Sequence, residues 1–217
     1  MNTELARFNM VEQQIRTWSV LDKRVLDLLA RLDRHLFVPA TFASLAYSDT
    51  EIPLPDGEHM LAPRVVARLL QDLQLQPHER VLEVGTGSGY LTALLSQSCA
   101  QVLSLECHPG LLASAQQHLS QAGVRNALLR HSMGVPEAQP EGPFDAVILS
   151  GSVATVPHAM LDLLKPDGRL LAVVGDLPMM HATRVTRQKN GQGHSQILWD
   201  VVTPRLHGFA ETPAFHF

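Results

Sequence analysis

Three glycines at alternate positions, Gly85, Gly87 and Gly89, stand between an apolar run at 81–84 and a predicted helix. Glycine lacks a Cβ atom, so the backbone can turn sharply there and approach a ligand closely. The first turn of the following helix presents backbone N–H groups that have no partner inside the helix. In doubly wound α/β proteins this arrangement forms a nucleotide pocket at the carboxyl end of the first strand. The segment therefore predicts a pocket for a nucleotide-like cofactor.

The spacing of these glycines favours one cofactor over another. A dinucleotide loop reads G-x-G-x-x-G, whereas this loop reads G-x-G-x-G and has Tyr90 where the third dinucleotide glycine would stand. Glu83, just before the first glycine, suits a cationic ligand better than a phosphate. S-adenosylmethionine (SAM) carries an ammonium and a sulfonium group and no phosphate, and the segment from Glu83 to Gly89 resembles motif I of SAM-dependent methyltransferases. We therefore expect SAM to contact Glu83, Gly85, Thr86, Gly87, Ser88 and Gly89.

A second acid supports this interpretation. The apolar run at 102–105 ends in Glu106, about 20 residues beyond the loop, where an acid at the tip of the second strand binds ribose hydroxyls. The alternative is that Glu106 is a polar strand end without a ligand. We expect Glu106 to bind the cofactor.

Composition limits the class of protein. The chain has 217 residues, of which 45% are apolar and 18% are charged, and its net charge is −4. It is long enough to bury a sizeable core, and it has no basic balance that would favour nucleic acid. No apolar run approaches the length of ~20 residues that spans a membrane, and the amino-terminal residues lack an apolar signal core. We expect a cytoplasmic protein with reduced Cys99 and Cys107, no nucleic-acid partner and no membrane partner.

Metal ligands are also not expected. The chain has eleven histidines, but it contains no H-E-x-x-H and no paired C-x-x-C motif. Scattered histidines are more often surface or interface residues than ligands. The sequence therefore predicts no metal.

The spacing of apolar residues predicts the helices and strands that position the glycine loop. Residues 2–16, 22–31 and 63–73 have helical spacing of apolar residues, and the proline-rich stretch 35–60 between them is expected to be irregular. From residue 80 onwards, strands and helices alternate, which indicates a mostly parallel sheet. Strands are expected at 81–84, 101–106, 127–131, 144–150 and 169–174, and helices at 88–97, 110–122 and 157–164.

The carboxyl-terminal part has a different pattern. Residues 181–188 and 195–203 read as two strands around Lys189–Gly193, which is a hairpin signal. The expected fold is α/β: a doubly wound, Rossmann-like SAM methyltransferase sheet, mostly parallel with a carboxyl-terminal antiparallel hairpin, plus amino-terminal helices. We expect residues 1–75 to form a helical extension and substrate loop and residues 76–217 to form the SAM-binding domain, together making one compact unit.

Five segments resemble the protein-L-isoaspartate O-methyltransferase family, and together they cover nearly the whole chain. Their family counterparts are M-V-x-x-Q, R-x-x-F-V-P, A-Y…L-P-I, the motif after the third strand, and L-x-x-G-G-R-L. The segments of this chain are 9–15, 35–39, 46–47 with 52–55, 143–148, and 164–170.

The resemblance implies a reaction. Such enzymes transfer the SAM methyl group to the α-carboxylate of an L-isoaspartyl residue, and the ester collapses to a succinimide that reopens partly to aspartate. A carboxylate with a pKa near ~4 is already a nucleophile at neutral pH. Catalysis would therefore be mainly positioning, and the partner implied is a protein or peptide with a carboxylate. The oligomeric state is left open.

The substrate loop departs from the family pattern. Where the family has G-Q-T-I-S-x-P, this chain has Gly57-Glu-His-Met-Leu-Ala-Pro63. The resemblance places His59 at the position of the threonine and Leu61 at the position of the serine, both at the reaction centre. Leucine cannot donate a hydrogen bond, so His59 or a backbone N–H would have to substitute.

Two further positions are expected to affect how SAM is bound. The family motif G-D-G, whose acid meets the adenine amino group, is replaced by Ser132-Met133-Gly134. Loss of that hydrogen bond would cost ~1.5–3 kcal/mol, unless Met133 packs on the adenine face. Ser150, after the fourth strand, touches the methionine part or the substrate by family position, or belongs only to a strand-exit turn.

Three functions therefore stay open. The chain is an isoaspartyl-repair methyltransferase, or a methyltransferase of the same fold with another acceptor, or a non-catalytic SAM-binding homologue. Leu61 supports the second, and Leu61 with Met133 supports the third. A nicotinamide dehydrogenase is disfavoured by Tyr90 and Glu83.

Overall fold

A seven-stranded sheet forms the centre of the protein. The computed structural model describes residues 3–132 and 141–211. The sheet has the order β5-β4-β3-β6-β7-β8-β9, in which the first five strands run parallel and the last two run antiparallel to their neighbours. The strands are β3 (Arg80–Val84), β4 (Gln101–Glu106), β5 (Ala127–His131), β6 (Phe144–Val153), β7 (Leu164–Asp176), β8 (Met179–Arg187) and β9 (Gly193–Asp200). This arrangement confirms the expected fold class.

Helices cover both faces of the sheet. Because side chains alternate along a strand, Val81 and Val102 pack in the core on one face, whereas Leu82 and Leu103 pack in the core on the other. The helices are α1 (Thr3–Asn9), α2 (Lys23–Arg31), α3 (Pro63–Leu73), α4 (Tyr90–Ser96), α5 (Pro109–Gln121) and α6 (His158–Asp162). None of them, nor any other helix in the described part of the chain, is both long and apolar enough to cross a membrane.

The amino-terminal segment is less regular than expected. The single helix predicted for residues 2–16 is α-helical only over α1, continues as a π-helix over Met10–Ile15 and ends in a 3₁₀ turn over Arg16–Trp18. Met10 and Ile15, five residues apart, are both buried. The mixed three- and four-residue spacing did not distinguish this wider turn from an α-helix.

The expected irregular stretch contains short elements. It has 3₁₀ turns at Arg34–Phe37, Ala40–Leu45 and Pro55–Gly57. It also has a small antiparallel pair, β1 (Ile52–Pro53) with β2 (His59–Met60), which places the substrate loop next to the glycine loop.

The last parallel strand begins earlier than predicted. Leu164 pairs with Phe144 at the start of β6, and the Phe144 N–H donates to the Leu163 carbonyl at 2.7 Å. Leu163 and Leu164 are therefore not helical, and the helix expected at 157–164 is observed only over α6. Residues from both sides of position 75 share one hydrophobic cluster. The division of the chain into a helical extension, 1–75, and a SAM-binding domain, 76–217, stays a prediction.

Candidate cofactor and acceptor site

The glycine loop connects β3 to α4 at the carboxyl edge of the sheet. Backbone N–H groups of Gly85 and Thr86 donate to the Leu105 carbonyl at 2.9 and 3.2 Å, which fastens the loop to the neighbouring strand β4. Gly89, with φ of +86°, precedes the first residue of α4. A Cβ atom there would lie 3.3 Å from the side chains of Ala115 and Leu119, and a positive φ is strained for most other residues. The loop therefore depends on glycine for its conformation and for helix packing.

Glu106 lies directly against this loop, as its spacing predicted. Its carboxylate accepts hydrogen bonds from the backbone N–H of Gly87 at 2.7 Å and of His108 at 3.0 Å. The side chain is buried, yet it lines a cavity at the strand ends. The structure brings Glu106 and the glycine loop together, and the cofactor contact itself stays a prediction.

Glu83 occupies a different place from the one expected for a direct cofactor contact. It is fully buried beneath the loop, where one carboxylate oxygen accepts hydrogen bonds from Thr92 at 2.5 Å and Ser104 at 2.7 Å. The other oxygen accepts one from Ser150 at 3.2 Å. Burial raises the pKa of Glu83 to about 7, against the three hydroxyl hydrogen bonds, which lower it. Because Ser150 lines the cavities, Glu83 reaches them through that hydroxyl group.

Two cavities meet at the glycine loop, and both border His59, Gly85, Gly87 and Ser150. We call them the Glu106 cavity and the Leu61 cavity. The other residues of the Glu106 cavity are Glu58, Val84, Leu105, Glu106, Cys107, Ser132, Leu206 and His207. Those of the Leu61 cavity are Met60, Leu61, Val66, Thr86, Ser88, Tyr90 and Leu91. Among the described residues neither cavity is lined by lysine or arginine, so the lining suits a cationic ligand with hydroxyl groups better than a phosphate.

The carboxyl-terminal segment covers part of this site. Backbone hydrogen bonds join Ser152 N–H to the Pro204 carbonyl at 2.7 Å and Leu206 N–H to the Ser152 carbonyl at 2.9 Å. They place the Leu206 side chain over the glycine loop, so that a Cβ atom on Gly85 would lie 2.8 Å from it. A side chain at position 85 would therefore displace Leu206.

The two residues at the altered family positions differ in environment. Leu61 is buried and lines the Leu61 cavity with its apolar side chain. His59 is exposed at the junction of the two cavities, and its ring has no hydrogen-bond partner within the described ranges. An unengaged imidazole at this junction can donate a hydrogen bond to a bound acceptor. Met133 lies outside the described residues.

Arg34 is a further residue of this site, and sequence reasoning missed it. It is fully buried, and its guanidinium donates to the carbonyls of Ala46 at 2.6 Å and Leu61 at 3.2 Å. It lies 5.4 Å from the centre of the Tyr90 ring and forms no salt bridge with any residue that the structure describes. The signal was available, because residue 34 is the arginine of the R-x-x-F-V-P motif whose remaining part is 35–39.

The charge of Arg34 persists despite its burial. Burial lowers the pKa of Arg34, while the negative charge of the nearby Asp49 carboxylate opposes that shift. An arginine remains protonated in proteins because its reference pKa is so high. Leu61 and Tyr90 line the Leu61 cavity, and the guanidinium of Arg34 contacts both. A buried positive charge that has no salt-bridge partner among the described residues therefore lies behind the wall of this cavity.

The sequence of this chain matches a known protein family and several of its members. Residues 6–203 match the family model described as protein-L-isoaspartate(D-aspartate) O-methyltransferase (PCMT). Protein-L-isoaspartate O-methyltransferase 1 of Syntrophobacter fumaroxidans is 36% identical over 197 residues, which cover 91% of this chain and 92% of the relative. The protein-L-isoaspartate O-methyltransferase of Methanoculleus marisnigri is 38% identical over 169 residues, covering 78% of this chain and 77% of the relative.

A solved structure has the same fold. The chain is similar, with a TM-score of 0.80 and 23% identity, to a putative protein-L-isoaspartate O-methyltransferase from Plasmodium falciparum in complex with S-adenosyl-L-homocysteine. The superposition covers 96% of this chain and 99% of the Plasmodium chain. The shared fold therefore extends over nearly the whole length of both chains.

Proposed function

The chain belongs to the protein-L-isoaspartate(D-aspartate) O-methyltransferase family, and we propose that it transfers the methyl group of SAM to the carboxylate of an L-isoaspartyl residue in a protein or peptide. The observation that carries the choice of a carboxylate is the buried guanidinium of Arg34 behind the Leu61 cavity, which forms no salt bridge with the residues that the structure describes. An anionic acceptor in that cavity is stabilised by the positive charge, whereas a neutral acceptor gains nothing from it.

The Glu106 cavity suits the adenosine part of SAM. Glu106 has buried oxygens that can accept ribose hydroxyl groups, and Ser150 can contact the methionine part. The backbone of Gly85, Gly87 and their neighbours forms the rest of the contact surface. When bound, SAM supplies a methyl carbon whose bond to sulfur breaks with the electron pair remaining on sulfur.

The residues of this chain then have only to position the acceptor and exclude water. An isoaspartyl carboxylate is ionised at neutral pH and needs no general base. The Arg34 charge offsets part of the cost of moving that carboxylate out of water. In this proposal His59, which borders both cavities, donates a hydrogen bond to the acceptor, and buried Leu61 contributes an apolar wall without a donor. Holding the reacting atoms in line is the main source of rate in such a reaction.

A pair of peptides tests this proposal. Full-length protein is incubated with methyl-labelled SAM and an isoaspartyl peptide, or with its twin that contains normal aspartate. We expect incorporation into the isoaspartyl peptide and none into the twin. Equal incorporation into both peptides, or none into either, contradicts the isoaspartyl assignment.

A second acceptor class has one observation in its favour. Leu61 leaves the position of the family serine without a hydroxyl group, and its side chain is buried against the core. A methyltransferase of the same fold with another carboxylate acceptor would label a peptide with a free carboxyl terminus, but not the same peptide with an amidated terminus. The non-catalytic alternative is tested by calorimetry with S-adenosylhomocysteine, since an absence of binding would exclude both enzyme functions.

We also propose that the protein works in the cytoplasm. Cys99 and Cys107 are both free, and burial raises the pKa of Cys107 to about 11. Free thiols are typical of a reducing compartment. Fractionation of the source cells, with detection by antibody, tests this location, and recovery in an extracellular or periplasmic fraction would contradict it.

A further inference from the structure

Three side chains that are far apart in the sequence meet at the mouth of the Glu106 cavity. Glu58 lies in the substrate loop, His108 follows β4, and His207 lies in the carboxyl-terminal segment. One oxygen of Glu58 lies 3.1 Å from Nε2 of His108 and 2.9 Å from Nε2 of His207. One potential metal-ligand atom of each residue lies within 4.8 Å of the other two. Sequence spacing gave no warning of this cluster because tertiary structure alone brings the three segments together.

The separations are close to those of a metal site. Tetrahedral zinc binds imidazole nitrogen at about 2.0–2.1 Å and carboxylate oxygen at about 2.0–2.2 Å, so neighbouring ligand atoms lie roughly 3.3–3.4 Å apart. The two distances from Glu58 are within a few tenths of an ångström of that value. The two imidazole rings are nearly perpendicular, at 86°. A small outward shift of the ligands would admit an ion between them.

We propose that Glu58, His108 and His207 bind a divalent first-row transition metal, with Zn²⁺ as the reference ion and water at the fourth position. Two imidazoles and one carboxylate form a known zinc ligand set that leaves one position open. The site is reachable from solvent, because the Glu58, His108 and His207 side chains are 20%, 27% and 62% exposed. This proposal does not depend on methyl-transfer activity.

The backbone holds each ligand in place. The Leu54 N–H donates to the Glu58 carbonyl at 2.7 Å, which closes the turn that carries Glu58. His108 is tied to β4 by its backbone hydrogen bond to Glu106, and His207 directly follows Leu206, whose N–H bonds to Ser152. Ligands that are ordered before binding lose less conformational entropy when the ion binds.

The other nitrogen of His108 also has an acidic neighbour. Oδ2 of Asp56 lies 3.8 Å from Nδ1 of His108, on the side of the ring that faces away from Glu58. A carboxylate near the non-ligating nitrogen helps to fix the tautomer and orientation of a metal-binding histidine. Asp56 therefore occupies a supporting position.

A competing ligand set is less favourable. Glu106, Cys107 and His108 also lie close together. However, the oxygens of Glu106 already accept hydrogen bonds from the backbone of Gly87 and His108. A metal at that set would have to displace contacts that hold the glycine loop, whereas the Glu58 set requires only the loss of the contacts between Glu58 and the two imidazoles.

Titration with metal alone tests the proposal. Full-length protein is freed of metal with a chelator and titrated with Zn²⁺ by calorimetry, and with Co²⁺ while visible absorption is recorded. We expect one equivalent to bind, and Co²⁺ to give the absorption of a tetrahedral site. His207→Ala should weaken binding at least about tenfold, since it removes one of three protein ligands. Circular dichroism of each variant checks that it is folded.

Two controls separate a metal site from a set of hydrogen bonds. His181→Ala removes a histidine that has a carboxylate partner, Asp200 at 2.8 Å, but belongs to no metal-ligand cluster among the described residues, and it should leave Zn²⁺ affinity unchanged. Glu58→Gln retains the size of the side chain but removes its charge, and it should weaken Zn²⁺ binding as His207→Ala does. The proposal is overturned if no saturable binding occurs, if His207→Ala binds as the wild type does, or if His181→Ala causes an equal loss.

Discussion

The two cavities of the site are organised around buried charges of opposite sign. Beneath and beside the Glu106 cavity lie two buried carboxyl groups, Glu83 and Glu106, whereas behind the Leu61 cavity lies the buried guanidinium of Arg34. A cationic methyl donor and an anionic acceptor require this arrangement of charge. Two of these charges, those of Glu83 and Arg34, lie behind the walls rather than in the lining. The protein can therefore favour each reactant by its electrostatic field while presenting it with mostly neutral groups.

The two regions also differ in how completely their polar groups are paired. The carboxylate of Glu83 has three hydroxyl donors, and that of Glu106 has two backbone donors. On the other side, Nε of Arg34 and the hydroxyl of Tyr90 are buried without a hydrogen-bond partner in the described part of the chain. Both buried carboxyl groups thus have hydrogen-bond donors, whereas the guanidinium side contains two buried polar groups with unused hydrogen-bonding capacity.

The largest expected effect on the contrast between the two cavities comes from removal of the buried cation. Arg34→Met should lower the free energy of unfolding by about 3–5 kcal/mol, because two buried carbonyls lose charge-assisted hydrogen bonds. Denaturant unfolding measures this change. Arg16→Met is the matched control: its exposed pair with Glu12 is worth at most about 1 kcal/mol. An equally small loss for Arg34→Met would show that the buried guanidinium does not organise this side.

Removing the buried acid should have the opposite effect on stability, and the size of this effect should depend on pH. The pKa of Glu83 is raised from 4.5 to about 7 in the folded state. Between these values the folded protein retains a proton that the unfolded chain releases, so stability contributed by protonated Glu83 is present at low pH and lost as the pH rises through about 7. Glu83→Gln should therefore gain stability relative to the wild type, by up to about 3 kcal/mol, between about pH 5 and pH 8. Thermal unfolding across this range measures the gain. A difference between the two proteins that is independent of pH would contradict it.

Cofactor affinity gives the next largest effect. Glu106→Ala should weaken binding of S-adenosylhomocysteine about tenfold to a hundredfold, because a ribose partner and the hydrogen-bond acceptor of Gly87 are both lost. Calorimetry measures this affinity. Glu12→Ala, on the surface of the amino-terminal segment, is the control and should bind as the wild type does. If Glu106→Ala retained full affinity, Glu106 would only be a support for the loop.

The smallest effect concerns the altered acceptor position. Leu61→Ser restores the hydroxyl group of the family motif, and we expect turnover of the isoaspartyl peptide to rise about threefold relative to Leu61→Ala, since a neutral hydrogen bond contributes about 0.5–1.5 kcal/mol. Leu61→Ala removes similar volume without adding a donor, so it corrects for the loss of packing. Equal turnover in the two variants would show that the missing hydroxyl does not limit the reaction.

The sequence predicted the fold well because the fold depends on local periodicity. Alternation of apolar strands with helices after residue 80 was enough for the parallel sheet, and the spacing of Glu106 from the glycines was enough to bring them together. Sequence could not show that Glu83 is buried beneath the loop and lines neither cavity, because a residue within a strand faces either side of the sheet depending on register. It also could not show the meeting of Glu58, His108 and His207, which requires three loops to fold over one strand edge.

Arg34 shows a second reason why sequence-based prediction missed part of the site. Charged residues are seldom fully buried, so an arginine in a proline-rich, irregular stretch gave no reason to expect a core position. Its burial depends on carbonyl groups of Ala46 and Leu61, which become available only when the irregular segment folds back on itself. Such a residue can be identified from a family motif, but not from hydropathy.

The cover formed by Leu206 has a consequence for the order in which the site is built during synthesis. The glycine loop and Glu106 leave the ribosome well before residues 204–206, and amino-terminal parts of a chain generally fold first. A nascent chain that has emerged only as far as β8 already contains the loop and both buried acids, but it lacks the side chain that lies against Gly85. The pocket thus receives its final wall late in translation, and a ribosome-stalled chain of that length should hold a nucleoside less tightly than the released protein.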